Sequence, residues 1–116
     1  MPTKCHEDVV YAAVLGGEIE IDDQGRCWRV AFRQANRWTG GTRLIRCERR
    51  RAENKTTAGY LQVRMMINGV RWHTPAHRLV WRHANGALTP ELMVVHKNKQ
   101  LDDNRPDNLF VKKRAR

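Results

Sequence analysis

The sixteen residues from Gly59 to Thr74, G-Y-L-Q-V-R-M-M-I-N-G-V-R-W-H-T, constrain the fold more than any other stretch of the chain. Leu61, Val63, Met65 and Ile67 alternate with Tyr60, Gln62, Arg64 and Met66. A period of two buries one face of a strand and leaves the other wet. Asn68-Gly69 then separates this run from a second one. Both residues accept the positive φ angles of a type I′ turn, whose twist matches that of paired strands. The segment predicts a hairpin with Arg64 and Arg71 on its exposed face.

A second hairpin is expected over residues 18–33. Ile19 and Ile21 alternate with acids, and Cys27, Trp28, Val30 and Phe32 continue the beat beyond Asp22-Asp23-Gln24-Gly25. That tetrad is turn chemistry. Residues 34–42 read as a loop punctuated by Gly40-Gly41, and residues 43–58 as a basic strand followed by loop. Thr74 and Pro75 open a helix as N-cap and first-turn proline. Its inner face is Ala76, Leu79, Val80 and Ala84 with Trp81 beside them, and Gly86 stops it. After a turn at Leu88–Glu91, Leu92–Val95 form a short buried strand that delivers His96. A polar loop leads to Pro106, which opens a short helix anchored by Leu109 and Phe110. The class is α+β, a small hairpin-rich domain. Residues 1–58 form an acidic N-terminus and a basic β-rich region, residues 59–116 the hairpin, helix and terminal unit, all in one compact domain.

Charge narrows the partner. The formal charge is +10, unevenly spread: residues 1–25 hold Lys4 against six carboxylates, whereas residues 26–116 hold 21 basic and 6 acidic side chains. A basic body of this kind attracts polyanions, and nucleic acid is the default among them. Arg49, Arg50, Arg64, Arg71, Lys97, Lys99, Arg105, Lys112 and Lys113 are the candidate phosphate contacts. Arginine forks two hydrogen bonds onto one phosphate, which suits the task. No segment joins this charge to a long amphipathic helix or to an apolar run of membrane-spanning length, so no membrane role is expected. No secretory leader is read at the N-terminus. Three cysteines without a C-x-x-C (Cys5, Cys27, Cys47) argue for a reducing, cytoplasmic compartment. His73 and His77 are separated by Pro75 and do not form an H-E-x-x-H helix, which excludes a zinc protease. Cys5 and His6 are read as a frayed terminus, Trp28 and Trp81 as core, and Trp72 as the best candidate for stacking on a base.

The stretch from Ala76 to Leu109 then takes on a family character. His77-Arg78-Leu79-Val80-Trp81 on a helix, a link from Gly86 to Pro90, a strand ending in His96, and Asn104-Arg105-Pro106-Asp107-Asn108-Leu109 follow in order. This set resembles the HNH endonucleases of the His-Me finger group, especially the phage and intron-borne, homing type. The resemblance covers about residues 59–111.

It implies a C-terminal ββα-metal finger and phosphodiester hydrolysis that nicks or cuts double-stranded DNA with a divalent metal, Mg²⁺ being the expected ion. His96 would be the general base, presented at the rim of the finger. Asn108 would pin the loop, with Asn104 and Arg105 as further anchors, and His77 would be a structural, hydrogen-bonded histidine. The family's position before the base is Asp or His, and here it is Val95, which has no lone pair for a metal. Its other usual ligand falls nine residues beyond Asn108, at position 117, past Arg116. Asp102, Asp103 and Asp107 are the carboxylates at hand to hold a hydrated cation instead. The alternative reading is a catalytically degenerate member that binds DNA or modulates a host or phage protein.

Overall fold

The computed structural model describes residues 6–35, 38, 40–67, 69–89 and 91–113. Along the chain run α1 (His6–Leu15), β1 (Ile19–Ile21), β2 (Cys27–Ala35), β3 (Thr42–Arg51), β4 (Glu53–Lys55), β5 (Leu61–Ile67), β6 (Val70–Pro75), α2 (Ala76–Asn85), β7 (Leu92–His96), a 3-10 turn (Pro106–Asn108) and β8 (Leu109–Lys113). The strands pair antiparallel in three sheets, ordered β1-β2-β3, β4-β5-β6 and β7-β8. The two short hairpins read from sequence are both present. Ile67 pairs with Val70 across the turn, and Gly69 has φ +79°. Asn68 of that turn, Pro90, Cys5 and the tail residues 114–116 lie outside the described residues.

Four expectations change. The basic stretch after Gly41 is mostly strand: β3 runs to Arg51 and β4 follows. Its pairing with β2 shifts between Arg29 and Ala31, with two extra residues in β3. A bulge of this sort twists a strand and re-aims its side chains, and here it carries Arg49 over Trp28. Thr74 is a buried strand residue and makes no cap. Pro75 holds the N-cap position, with no side-chain cap bond, and its ring removes an N–H that would need a partner. Ala84 is exposed, because the buried stripe of α2 ends at Val80. The helix expected at Pro106 is a single 3-10 turn, after which the chain extends as β8. Leu109 is buried, Phe110 exposed and Val111 half-buried, which is strand alternation.

α1 was not expected from the sequence. Glu7 and Asp8 sit in its first turn, where carboxylates complement the helix dipole. Val10 and Ala13 point inward. Glu7 is buried and accepts hydrogen bonds from Arg78 Nε (2.7 Å) and Arg82 Nη1 (3.2 Å) of α2. His6 is not frayed: its Nδ1 accepts the His73 N–H at 3.2 Å, and its ring lies 4.9 Å from Trp72. One apolar cluster links all parts. Val10 and Ala13 of α1 meet Ile19, Cys27, Val63 and Met65 of the sheets, Leu79 and Val80 of α2, and Val94 and Leu109 of the last hairpin. No helix among the described residues is long and apolar enough to cross a membrane.

Candidate functional site

β7 ends on His96, whose partner across the ladder is Leu109 of β8. The nine residues between His96 and Pro106 must therefore fold back on themselves, and Asn108 makes them do so. Its side chain accepts the Asn98 N–H at 3.1 Å and donates to Asn98 Oδ1 at 2.9 Å and to the Asp103 carbonyl at 2.8 Å. Its own carbonyl accepts the Lys97 N–H at 2.7 Å. Asn108 is buried, as is Asn104, and Asn104 Oδ1 lies 2.8 Å from His96 Nε2.

An amide oxygen can only accept, so in this contact Nε2 is the donor. His96 is 5% exposed. The ring is thus tucked in, not presented at the rim as expected, because Asn104 draws it down into the loop. It still lines a cavity of about 320 Å³ with Tyr60, His77, Val95, Lys99 and Leu101.

His77 packs edge-on to His96, ring centroids 4.9 Å apart. Burial, helped by the charges of His96 and Arg78, pushes its pKa down to about 4. It is therefore neutral near pH 7. Its Nδ1 is buried and makes no hydrogen bond, contrary to the hydrogen-bonded structural role expected of it, and Asn104 Nδ2 is likewise unpartnered.

The cations divide into two groups. Arg64 and Arg71 line a cavity of about 590 Å³ with Arg29, Gln62, Trp72 and His73. Arg50 lines a smaller adjoining one that shares Arg29 and Arg64. Together they make a guanidinium trough across two sheets. Arg49 is exposed and lies 3.9 Å over the Trp28 ring, with Arg26 and Arg51 also facing that ring. Trp28 is therefore half-buried under arginines, not core. Lys97, Lys112 and Lys113 are exposed on the last hairpin and border neither cavity, while Lys99 lines the His96 cavity. Arg105 donates to Asp103 at 2.9 Å through two nitrogens, and its side chain is exposed.

Among the described residues the donors do not fit Mg²⁺. A hard cation needs oxygen ligands. Val95 offers none. Asp103 is taken up by Arg105 and Asn98, and hydrogen bonding from Arg105 holds its carboxyl down to about 2. Asp102 pairs with Lys55 at 3.2 Å. Among the described residues no group of three His, Cys, Asp or Glu side chains is placed to hold a metal ion.

Sequence reasoning missed Arg29, and it read Gly25 as a turn residue without the backbone that Gly25 meets. Both act through residues distant in the chain: Arg29 Nη2 donates to the Arg64 carbonyl at 3.5 Å, and Gly25 abuts the Asn104 backbone.

A strand-end histidine in contact with one asparagine, and a second asparagine closing the loop between two antiparallel strands, thus fall in one segment of the chain. Residues 74–116 match the family model described as HNH endonuclease. The fold as a whole is similar to that of the HNH homing endonuclease I-HmuI, whose solved structure concerns its DNA binding and cleavage. The TM-score is 0.56 and the identity 20%, over 84% of this chain and 47% of that one. The chain spans about half the length of that protein. No curated protein matches it.

Proposed function

We propose that the protein is an HNH-type DNA endonuclease in which His96 is the general base. The observation that carries this reading is the 2.8 Å contact between His96 Nε2 and Asn104 Oδ1. It fixes the tautomer in which Nδ1 can take a proton from water. A water occupies roughly 30 Å³, so the cavity of about 320 Å³ beside the ring admits several although the ring itself is buried. Imidazole accepts protons near neutral pH, which suits a base that must release its proton each turnover. Neutral His77 adds no repelling charge as His96 takes up that proton. Lys99 and the trough of Arg29, Arg50, Arg64 and Arg71 hold the sugar-phosphate backbone. HNH nucleases generally use a divalent metal. The described residues of this chain supply the proton acceptor and the grip on phosphate, and no step here is assigned to a metal.

A second reading rests on Val95. With no donor before the histidine, the same surface serves a DNA-binding module that does not cut, or one that modulates a host or phage protein. A plasmid assay separates the two. Wild type with Mg²⁺ or Mn²⁺ is expected to convert supercoiled DNA to nicked circles, and His96→Ala to leave it intact. Equal cleavage by both proteins overturns the role of His96 as base, and cleavage by neither leaves the binding module. Val95→Asp sharpens the second outcome: a gain of nicking shows a site complete apart from that donor.

A further inference from the structure

Gly25 closes the β1–β2 turn with φ +74°, and it is buried. A Cβ built on it would stand 1.8 Å from the Asn104 carbonyl oxygen, 2.4 Å from its carbon and 3.0 Å from the Arg105 nitrogen. All three are backbone atoms and cannot swing aside. The turn therefore lies flush on the peptide that carries Asn104, almost eighty residues away in the chain. At Gly16, Gly17, Gly40, Gly59, Gly69 and Gly86 no atom would come nearer than 3.2 Å to an added Cβ.

The turn is itself stiff. Asp22 Oδ1 accepts the N–H groups of Gln24 (3.0 Å) and Arg26 (2.8 Å). Asp22 Oδ2 accepts from Arg26 Nε (2.8 Å) and Trp28 Nε1 (3.0 Å). Trp28 in turn carries Arg49 on its face, and Arg49 Nη2 lies 4.0 Å from Asp22. A continuous set of contacts thus runs from an exposed arginine through the turn to Asn104 and His96.

We infer that the Asp22–Gly25 turn is a positioning element for the histidine: by bracing the Asn104 backbone it sets the amide that fixes the His96 tautomer. The inference rests on the proposed role of His96 for its catalytic consequence, but not for its structural one. The turn touches neither water nor phosphate at His96 and acts only through Asn104. It also gives the acidic N-terminal region a task that its charge alone does not reveal. Asp22 serves as a hydrogen-bond hub.

The test reads the ring directly. In ¹⁵N-labelled protein, wild-type His96 is expected to show a protonated-type signal at Nε2 and an unprotonated one at Nδ1. Gly25→Ala should shift this pair toward a mixture of tautomers and lower the nicking rate about 100-fold, the scale of a misplacement near 1 Å. DNA affinity should stay close to wild type. Gly69→Ala is the control, since Gly69 also has positive φ (+79°) but nothing within 4 Å of the added Cβ. It should leave the His96 signals unchanged. Should Gly25→Ala fail to fold, Asp22→Ala loosens the same turn without adding bulk and should move the His96 signals in the same direction. Wild-type signals in a folded Gly25→Ala protein overturn the inference, as do wild-type signals in Asp22→Ala where Gly25→Ala does not fold. Absence of nicking in the wild type overturns the endonuclease reading alone, because the tautomer signals report without any activity.

Discussion

The sheet β1-β2-β3 and the hairpin β7-β8 use polar side chains in opposite ways. On the first, Arg26, Arg49 and Arg51 gather over one tryptophan, and the arginines Arg26 and Arg49 keep about half their side-chain surface in water. On the second, the decisive groups are a buried imidazole and two buried amides: His96, Asn104 and Asn108. Its most conspicuous cation, Arg105, is spent on Asp103. An exposed guanidinium exchanges water for phosphate at little cost to the fold. A buried amide cannot be removed without stranding its partners. Substitutions in the hairpin should therefore damage stability and chemistry together, and substitutions on the sheet should damage affinity alone.

The sharpest challenge to that division is Asn108→Ala. It deletes three side-chain hydrogen bonds and leaves the Asn98 N–H and the Asp103 carbonyl without their protein partner. Each lost bond in such a place is worth about 1–1.5 kcal/mol, so the expected loss is about 4 kcal/mol in urea unfolding. A loss below about 1 kcal/mol would mean that the loop is held by something else, and the contrast between the two regions would fail.

Next comes acid. His77 is depressed from 6.5 to about 4, mainly by burial. Between those values the unfolded chain binds a proton that the folded chain refuses. Stability is then complete above about pH 6.5 and is lost as pH falls toward 4, by about 3 kcal/mol for this one group. His77→Gln should flatten most of that slope in denaturant titrations at pH 7 and pH 4. Asp22 and Asp103 act in a lower window. Burial opposes it, but hydrogen bonds from Trp28 and Arg26 hold Asp22 to about 2, and Arg105 does the same for Asp103. Their contributions fade only below about pH 4.

Glu7→Gln should have an effect about half as large, near 2 kcal/mol. The substitution leaves Arg78 and Arg82, both mostly covered, facing a neutral amide, although Asp8 still holds Arg82 at 2.5 Å. Thermal unfolding of Glu7→Gln, Arg82→Ala and the double variant measures the coupling. Additive losses would show that α1 is fastened by its apolar face alone.

How much of this was legible beforehand depends on how far each signal reaches. The turn at Gly69, the alternation of β5 from Gln62 to Met66 and the stop at Gly86 are local chemistry, and each appears where the sequence places it. The loop closure by Asn108 was legible through the family resemblance, since six adjacent residues carry it. The depth of His96 was not. It follows from one hydrogen bond to Asn104, and spacing says nothing about which way a ring is drawn. Nor was α1: its ten residues are weakly patterned, and it owes its place to Arg78 and Arg82, some seventy residues away. Gly25 lies at the far end of the same scale. Its turn was readable, but the backbone it presses against was not. The helix expected at Pro106 failed for a different reason. Proline fixes one turn only, and the L-F-V that follows is apolar and alternating in burial, with an aromatic and a β-branched residue that suit a strand, so pairing with β7 wins.

The smallest effect isolates the sheet. Arg49 stands on Trp28 with its side chain half in water, and Asp22 lies at the limit of ion pairing, 4.0 Å away. Arg49→Ala should change unfolding free energy by less than about 0.5 kcal/mol, as expected of an exposed site. If it grips a phosphate, it should reduce the slope of log affinity against log salt by about one for duplex DNA of any sequence. Fluorescence anisotropy over a salt series measures the slope, and urea unfolding of the same protein measures the stability. A stable variant with an unchanged slope would remove Arg49 from the nucleic-acid surface. A destabilised one would mean that the arginines over Trp28 belong to the fold as firmly as the asparagines around His96, and the two regions would no longer differ in kind.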